Sequence, residues 1–374
     1  MNAHHCDIIV LGGGLVGAAI AWGAAERGAR VALLDEGDVA LRASRANLGL
    51  VWVQGKGEGK AAYAYLTRHS ARLWPELQAR LLSDTGIDVA FRQPGGAQFC
   101  LSEDEDEQRR KLIARTEAES GSIGLRMLDR AELQSIMPLR IGSKVRSASF
   151  CPLDGHVNPL RLLRAFHVGL HGFGSHYLPG EAVETIGKDG RAFVVEHAHE
   201  RVVADKIVIA AGLGSARLAP LVGLSMPVTP LKGQILVTER VRKFESLYIG
   251  SLRQTDDGSI MIGSSRIENR SDVDIQMRPS LGMAQRAVEC LPELGDLQII
   301  RTWAGLRIMT PDGFPIYDMS TRHPGAFAVT CHSGVTLAAV HALHTAQEIV
   351  AGRFTGLHQQ FTATRFSMAA LDDK

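Results

Sequence analysis

The chain has 374 residues, 45% of them hydrophobic, and 41 Lys+Arg against 40 Asp+Glu leave a formal charge of +1. That balance excludes a disordered or collagen-like chain and a nucleic-acid-coating protein, and no partner can be recognised by bulk charge. At roughly 100–200 residues per domain, the length predicts about two domains with ample core.

In chain order, Asp7-Ile-Ile-Val-Leu11 reads as a buried parallel strand, Leu15 to Arg27 as a packed helix stopped by Gly28, and Val31 to Leu34 as a second buried strand. Together they form a strand-helix-strand unit. Ile8 to Ala25 carries no charge, yet Gly12, Gly13, Gly14, Gly17 and Gly23 interrupt it and no Lys or Arg precedes it, so neither a signal nor a membrane span is expected. Leucines and aromatics at helical spacing predict a helix over 63–82. A charged helix follows over 103–120, where Glu103-Asp-Glu-Asp-Glu107 suits the positive end of the dipole. Asp154-Gly155 and Asn158-Pro159 mark a turn before an apolar helix over 160–170, and 201–211 reads as an apolar strand ending at Gly212. Gln234 to Thr238 and Ser259 to Ile262 are expected as antiparallel strands with a hairpin turn at Asp256-Asp-Gly258. Ser333 to Ala351 predicts a last helix, capped by Ser333 and stopped by Gly352. This order implies two interleaved domains, one on a parallel and one on an antiparallel sheet.

Gly12-x-Gly14-x-x-Gly17 follows a strand and opens a helix, and Asp35 ends the next strand. That is the dinucleotide fingerprint in context: glycines let backbone N–H groups approach a pyrophosphate at a helix N-terminus, and the acid accepts from ribose hydroxyls. Glu36 is either an alternative acid or a solvated turn residue. Other chemistries lack their motifs. Cys6, Cys100, Cys151, Cys290 and Cys331 are dispersed with no C-x-x-C, which argues against a disulfide scaffold or an iron–sulfur cluster. Gly55-Lys-Gly-Glu-Gly-Lys60 has the wrong spacing for a P-loop and is expected as a mobile loop. His341 and His344 lie one turn apart without further ligands, so no zinc site is expected. Asn269-Arg-Ser271 is a glycosylation sequon only in a secreted protein.

Several segments resemble, in order and over about residues 6–352, the D-amino acid oxidase superfamily of FAD proteins, which includes glycine and sarcosine oxidases and D-amino acid dehydrogenases. They are Ser44-Arg-Ala-Asn-Leu-Gly49, a Gly180-x-x-Val183 strand, Ile209-Ala-Ala-Gly212, Trp303-Ala-Gly-Leu-Arg307 with Thr310-Pro-Asp-Gly313, and the Gly334-initiated last helix. Cys151-Pro-Leu-Asp-Gly-His-Val-Asn-Pro159 and Cys331-His-Ser-Gly-Val-Thr336 look most like the flavin-bearing beta subunits of bacterial opine dehydrogenases, hydrogen cyanide synthase and D-hydroxyproline dehydrogenase.

The resemblance implies an α/β plus antiparallel β fold. A Rossmann-like FAD-binding domain (residues 1–84, 151–224 and 311–374) would interleave with an α+β substrate domain (85–150 and 225–310). FAD would be bound non-covalently, since no cysteine or histidine occupies a recognisable attachment motif. Gly12, Gly14 and Gly17 would hold the pyrophosphate, Asp35 the ribose, and Ser44, Arg45 and Asn47 would lie along the phosphates toward the ring. Val183 would meet the adenine through its backbone, and Gly212 would line the dinucleotide. N–H groups of Ser333, Gly334, Val335 and Thr336 would face the flavin edge that becomes negative on reduction. Arg307 matches the position that clamps a substrate carboxylate; the other reading is a structural arginine paired to an acid such as Asp312. His332 either touches substrate or flavin, or is a satisfied buried histidine. Ser251 stands where glycine oxidase has its substrate-contacting tyrosine, and the arginine after that enzyme's final-helix histidine is missing. A larger or less closed site is expected, with Arg253 addressing a second polar group.

The implied activity is FAD-dependent oxidation of the C–N bond of an amino acid or opine-like N-substituted amino acid, by the beta subunit of a heteromeric dehydrogenase that hands electrons to a separate redox subunit. Two alternatives stay open: a self-sufficient glycine or D-amino acid oxidase making hydrogen peroxide, and an electron-relay flavoprotein whose partner chain holds the substrate. No protein base for the substrate amine stands out. A nucleic-acid partner and a direct membrane span are not expected, and the expected location is cytoplasmic, with any membrane association made through a partner.

Overall fold

The computed structural model describes residues 3–37, 42–197, 200–243 and 248–367. Strand β1 (Ala3–Leu11) runs into helix α1 (Leu15–Glu26) and then strand β2 (Val31–Asp35), as the apolar runs predict. Side chains alternate across a strand, so β1 feeds two cores: Ile8 and Val10 pack on one face, Ile9 and Leu11 on the other. A strand buried on both faces needs the unbroken apolar run seen here. Helix α2 (Ala61–Thr85) continues through Pro75 and buries Leu66, Trp74, Leu77 and Leu81, and α3 (Glu103–Ser120) starts at Ser102, whose hydroxyl accepts from Glu105 N. Helix α4 (Pro159–Gly172) is capped by Asn158.

Strands β3 (His176–Pro179), β4 (Glu200–Ile209) and, late in the chain, Ala326–Thr330 complete a parallel set ordered β3-β2-β1-β4 and then 326–330, with 316–319 antiparallel at the far edge. The chain moves from β1 out to β2 and β3, then returns to the other side of β1 at β4. Order therefore reverses at the carboxyl end of β1, where open α/β sheets bind ligands.

The second sheet holds β5 (Thr229–Arg240), β6 (Ser259–Gly263) and β7 (Ile299–Met309), with β7 at one edge beside β5, and then 252–254, 248–249, 96–100, 147–151 and 126–129. It covers a separate core around Phe99, Leu133, Leu236 and Ile262.

Three local expectations change. β5 and β6 do pair antiparallel, but the Asp256-Asp257-Gly258 turn joins β6 to 252–254, because β5 ends well before that turn. Gly180 to Val183 is loop beyond β3 rather than strand. The last helix is regular only from Ala338 and passes through a π-helical turn over His341–Thr345, after turns spanning 334–337. Ser333 does not cap it, because its hydroxyl is held elsewhere.

Candidate active site

At the carboxyl end of β1 the chain turns through Gly12, with φ at +111° and no room for a Cβ against the Ala210 carbonyl. Gly17 packs so closely on that turn that its own Cβ would overlap the Gly12 carbonyl. The turn is braced by Asp35, whose Oδ2 accepts from Gly13 N at 2.7 Å while Oδ1 accepts from Gly37 N at 3.1 Å. Ser44 Oγ accepts from Leu15 N at 2.9 Å, which satisfies one orphan donor of α1. Below the turn His167 Nε2 lies 3.0 Å from Gly13 O and its ring stacks on Tyr177, with centroids 4.1 Å apart.

A cavity of about 460 Å³ opens over this turn, lined among others by Gly12, Gly14, Asp35, Ser44, Val183 and Gly212. A second cavity, of about 290 Å³, continues it, and the two share Leu15, Val16, Ser44 and Cys331 as walls. The second lies between the sheets, with Gly233, Ile235 and Gly305 to Ile308 on one side and residues 331–336 on the other. Two cations line it, Lys56 and Arg307, and none of its described walls is acidic.

Arg307 projects from β7. Its Nη2 donates to Ser264 Oγ at 2.5 Å and to Ser265 O at 2.9 Å, and Nη1 donates to Lys232 O at 3.4 Å. Gly233 makes the space, since a Cβ there would strike the guanidinium. Asp312 is not its partner: that carboxylate pairs with Arg365 at 2.7 Å. Among the described residues no carboxylate neutralises Arg307. Partial burial and the nearby Arg266 lower its pKa from the usual arginine value.

His332 is exposed, but toward the cavity, and enclosure with Lys56 and Arg307 close by pushes its pKa down to about 3. It is therefore a neutral ring at any ordinary pH. Ser333 Oγ accepts from Lys56 Nζ at 2.5 Å and from Tyr63 OH at 2.9 Å. Thr336 Oγ1 accepts from Trp52 N at 3.1 Å, and the N–H groups of Gly334, Val335 and Thr336 meet no acceptor among the described residues. A row of free donors beside a cationic cavity suits a ring edge that gathers negative charge.

Not every expected residue faces the cavity. Arg253 is buried away from it, donating through Nη1 to Val157 O at 2.6 Å and lying against Met261 Sδ, so it does not reach a second substrate group here. Arg45 is absent from the walls of both cavities. Asn47 lines the second cavity but spends its amide on the loop, donating to Ala43 O and Ser44 O and accepting from Gly49 N. The Val183 carbonyl already accepts from Arg217 at 2.7 Å. Conversely, the sequence does not single out Lys56, Trp52 or Tyr63 as site residues. Nothing local marks them; Tyr63 comes in on α2, and Asp154 places the loop that carries Trp52 and Lys56 by accepting from Val53 N at 2.6 Å and Gln54 Nε2 at 2.6 Å.

Over residues 7–348 the sequence matches the DAO family of FAD dependent oxidoreductases. The chain belongs to that family. The B subunit of opine oxidase from Agrobacterium tumefaciens (strain Ach5) is 44% identical over 365 residues, which cover 97% of this chain and 98% of that protein. The HcnC subunit of hydrogen cyanide synthase from Pseudomonas aeruginosa is 30% identical over 352 residues, covering 83% and 84%. Glycine oxidase from Geobacillus kaustophilus shares the fold, with a TM-score of 0.86 at 24% identity over 95% of this chain and 96% of that one. As a DAO-family oxidoreductase the protein uses FAD, and its residues fit that group: a glycine turn with an acid at one end of a long cavity, and a cationic slot with free N–H donors at the other.

Proposed function

We propose that this chain is the flavin-bearing subunit of a heteromeric dehydrogenase that oxidises the C–N bond of an amino acid or opine-like N-substituted amino acid. The observation that carries the reading is Arg307, a partly buried guanidinium without a carboxylate partner among the described residues, in the same cavity as the 334–336 donors. A fork of donors held in place by Ser264 and Ser265 is complementary to a planar carboxylate. The 44% identity to the B subunit of an opine oxidase supports both the substrate class and the existence of another subunit.

FAD, when bound, supplies an acceptor for the hydride on the carbon next to the amine. The chain's own residues supply the rest. Arg307 anchors the carboxylate and so fixes where the α-carbon sits, Trp52 and Leu306 wall the slot against water, and the 334–336 N–H groups favour negative charge at the ring edge. In this reading the first sheet and its helices (residues 1–84, 151–224 and 311–374) hold the cofactor, while 85–150 and 225–310 shape the substrate side. Gly12, Gly14, Gly17, Asp35, Ser44 and Gly212 carry the cofactor role. Attachment is non-covalent: Cys331 borders both cavities, but burial pushes its thiol up to about 12, far from the reactive thiolate.

Anaerobic addition of opines, D-amino acids, proline analogues and glycine tests this reading, with bleaching of the flavin expected for at least one class. If no amine bleaches the isolated chain while a partner subunit restores turnover, the relay alternative is correct. Oxygen turnover equal to dye turnover would instead identify a self-sufficient oxidase, the activity named for relatives such as the glycine oxidase of Geobacillus kaustophilus, 26% identical to this chain.

A further inference from the structure

An amine gives up hydride only as the free base, because nitrogen needs its lone pair to form the C=N bond, yet amino acids carry ammonium groups at neutral pH. Two nitrogen bases among the described residues line the second cavity, Lys56 and His332, and the imidazole, lowered to about 3, is too weak a base to hold that proton. We infer that Lys56 is the base that deprotonates the substrate amine, held for this role by Ser333 and Tyr63. This inference rests on the amine-oxidising reading of the site.

Lys56 lines the same cavity as Arg307 and His332. Its Nζ donates to Ser333 Oγ at 2.5 Å, and no described carboxylate pairs with it. Ser333 Oγ also accepts from Tyr63 OH at 2.9 Å, and burial raises the phenol's pKa well above its usual value, so Tyr63 remains a donor. Both acceptor sites of the serine hydroxyl are thereby filled by donors. A neutral lysine must then point one N–H at Ser333 and can turn its lone pair to the cavity.

The surroundings make the neutral form accessible. Burial lowers the Lys56 pKa to about 8. The groups facing it do little to restore the charge: His332 is neutral, the Cys331 thiol is pushed up to about 12, Arg307 is a like charge, and Asp154, raised to about 7, spends its oxygens on Val53 and Gln54. Burial that brings a lysine near pH 7–8 is one way in which enzymes make a general base.

The balance is simple. One N–H bond of the substrate ammonium breaks and one forms on Lys56 Nζ. With FAD bound as the acceptor, the α-hydrogen would then leave with two electrons while the nitrogen lone pair closes the C=N bond. Lys56 returns its proton to solvent as the product departs.

Two measurements test the inference. In stopped-flow reduction under anaerobic conditions the wild-type rate should rise with pH through about 8. Lys56→Met should lose that step, fall about a hundredfold or more at pH 7, retain its FAD, and recover part of the rate with added ethylamine. Independently of turnover, pulse labelling of the wild-type holoenzyme with acetic anhydride, read by mass spectrometry, should show Lys56 half-reactive near pH 8 rather than near the 10 or so of surface lysines. An unchanged pH step in a flavin-replete Lys56→Met protein, or labelling of Lys56 that titrates like a surface lysine, overturns the role. The labelling result stands even if the variant fails to fold. Failure of every amine to bleach wild-type flavin would instead strike the amine-oxidising reading itself.

Discussion

At the scale of single residues, the site depends on where one guanidinium lies. Arg307→Lys keeps the charge but loses the fork, so kcat/KM should fall by about ten- to hundredfold, the equivalent of roughly 1.5–3 kcal/mol for a charged hydrogen bond, with FAD content unchanged. Steady-state kinetics beside the visible spectrum measure both; unaltered kinetics would remove Arg307 from the substrate site. Gly233→Ala probes the same group without touching its charge. The new Cβ has no room beside the guanidinium, and a displacement of about 1 Å costs on the order of a hundredfold. The loss should appear while the flavin spectrum stays wild-type, and retained activity would show that the guanidinium position is immaterial.

At the scale of elements, the start of α1 joins structure to cofactor binding. Ser44→Ala leaves Leu15 N without its acceptor and should cost about 0.5–2 kcal/mol of stability, as loss of a helix cap does, together with weaker FAD retention on dialysis. Full retention at an unchanged melting temperature would contradict this. The elements here were also the most legible part of the sequence. β1, α1 and β2 are specified by contiguous signals, an apolar run, a glycine turn and an acid, and the structure follows them closely. What could not be read is what long-range contact decides. Lys56 sits among glycines that by themselves describe a loop, and the residues that anchor the backbone beside it, Asp154 and Thr336, are distant in sequence. The departures from glycine oxidase around Ser251 point to Arg253 as a second polar contact, but its strand turns it toward Val157 instead of the cavity. Ser333 reads as a cap from its neighbours, yet Tyr63 and Lys56, brought in by α2 and the preceding loop, claim its hydroxyl.

At the scale of the whole molecule, buried ionisable groups set the acid response. His156 and His341 are held neutral by burial, with pKa values near 3 against about 6.5 when unfolded. Between those values the unfolded chain binds more protons, so stability falls as pH drops through this window. Asp154 acts with the opposite sign: its folded value of about 7 lies above the unfolded one of about 3.9, so it contributes stability on the acid side and loses it as pH rises toward 7. Two histidines outweigh one carboxyl, and Glu105, lowered by Arg286, adds to their side. The melting temperature at constant ionic strength should therefore decline from about pH 6.5 to about pH 4, and a rise over that range would contradict the assignment.

The same whole-molecule view requires an outlet for electrons. Protein taken from its native cell should co-purify with a redox subunit and reduce dyes much faster than oxygen. The most direct test of the central claim is an anaerobic titration of the purified holoprotein with N-substituted and simple amino acids, followed by visible absorbance. The flavin bands should bleach with saturable dependence on one of these amines, and acid precipitation should release the flavin as intact FAD. A spectrum that no amine alters, in protein that carries its full complement of FAD, would contradict the assignment of this chain as the site of C–N oxidation.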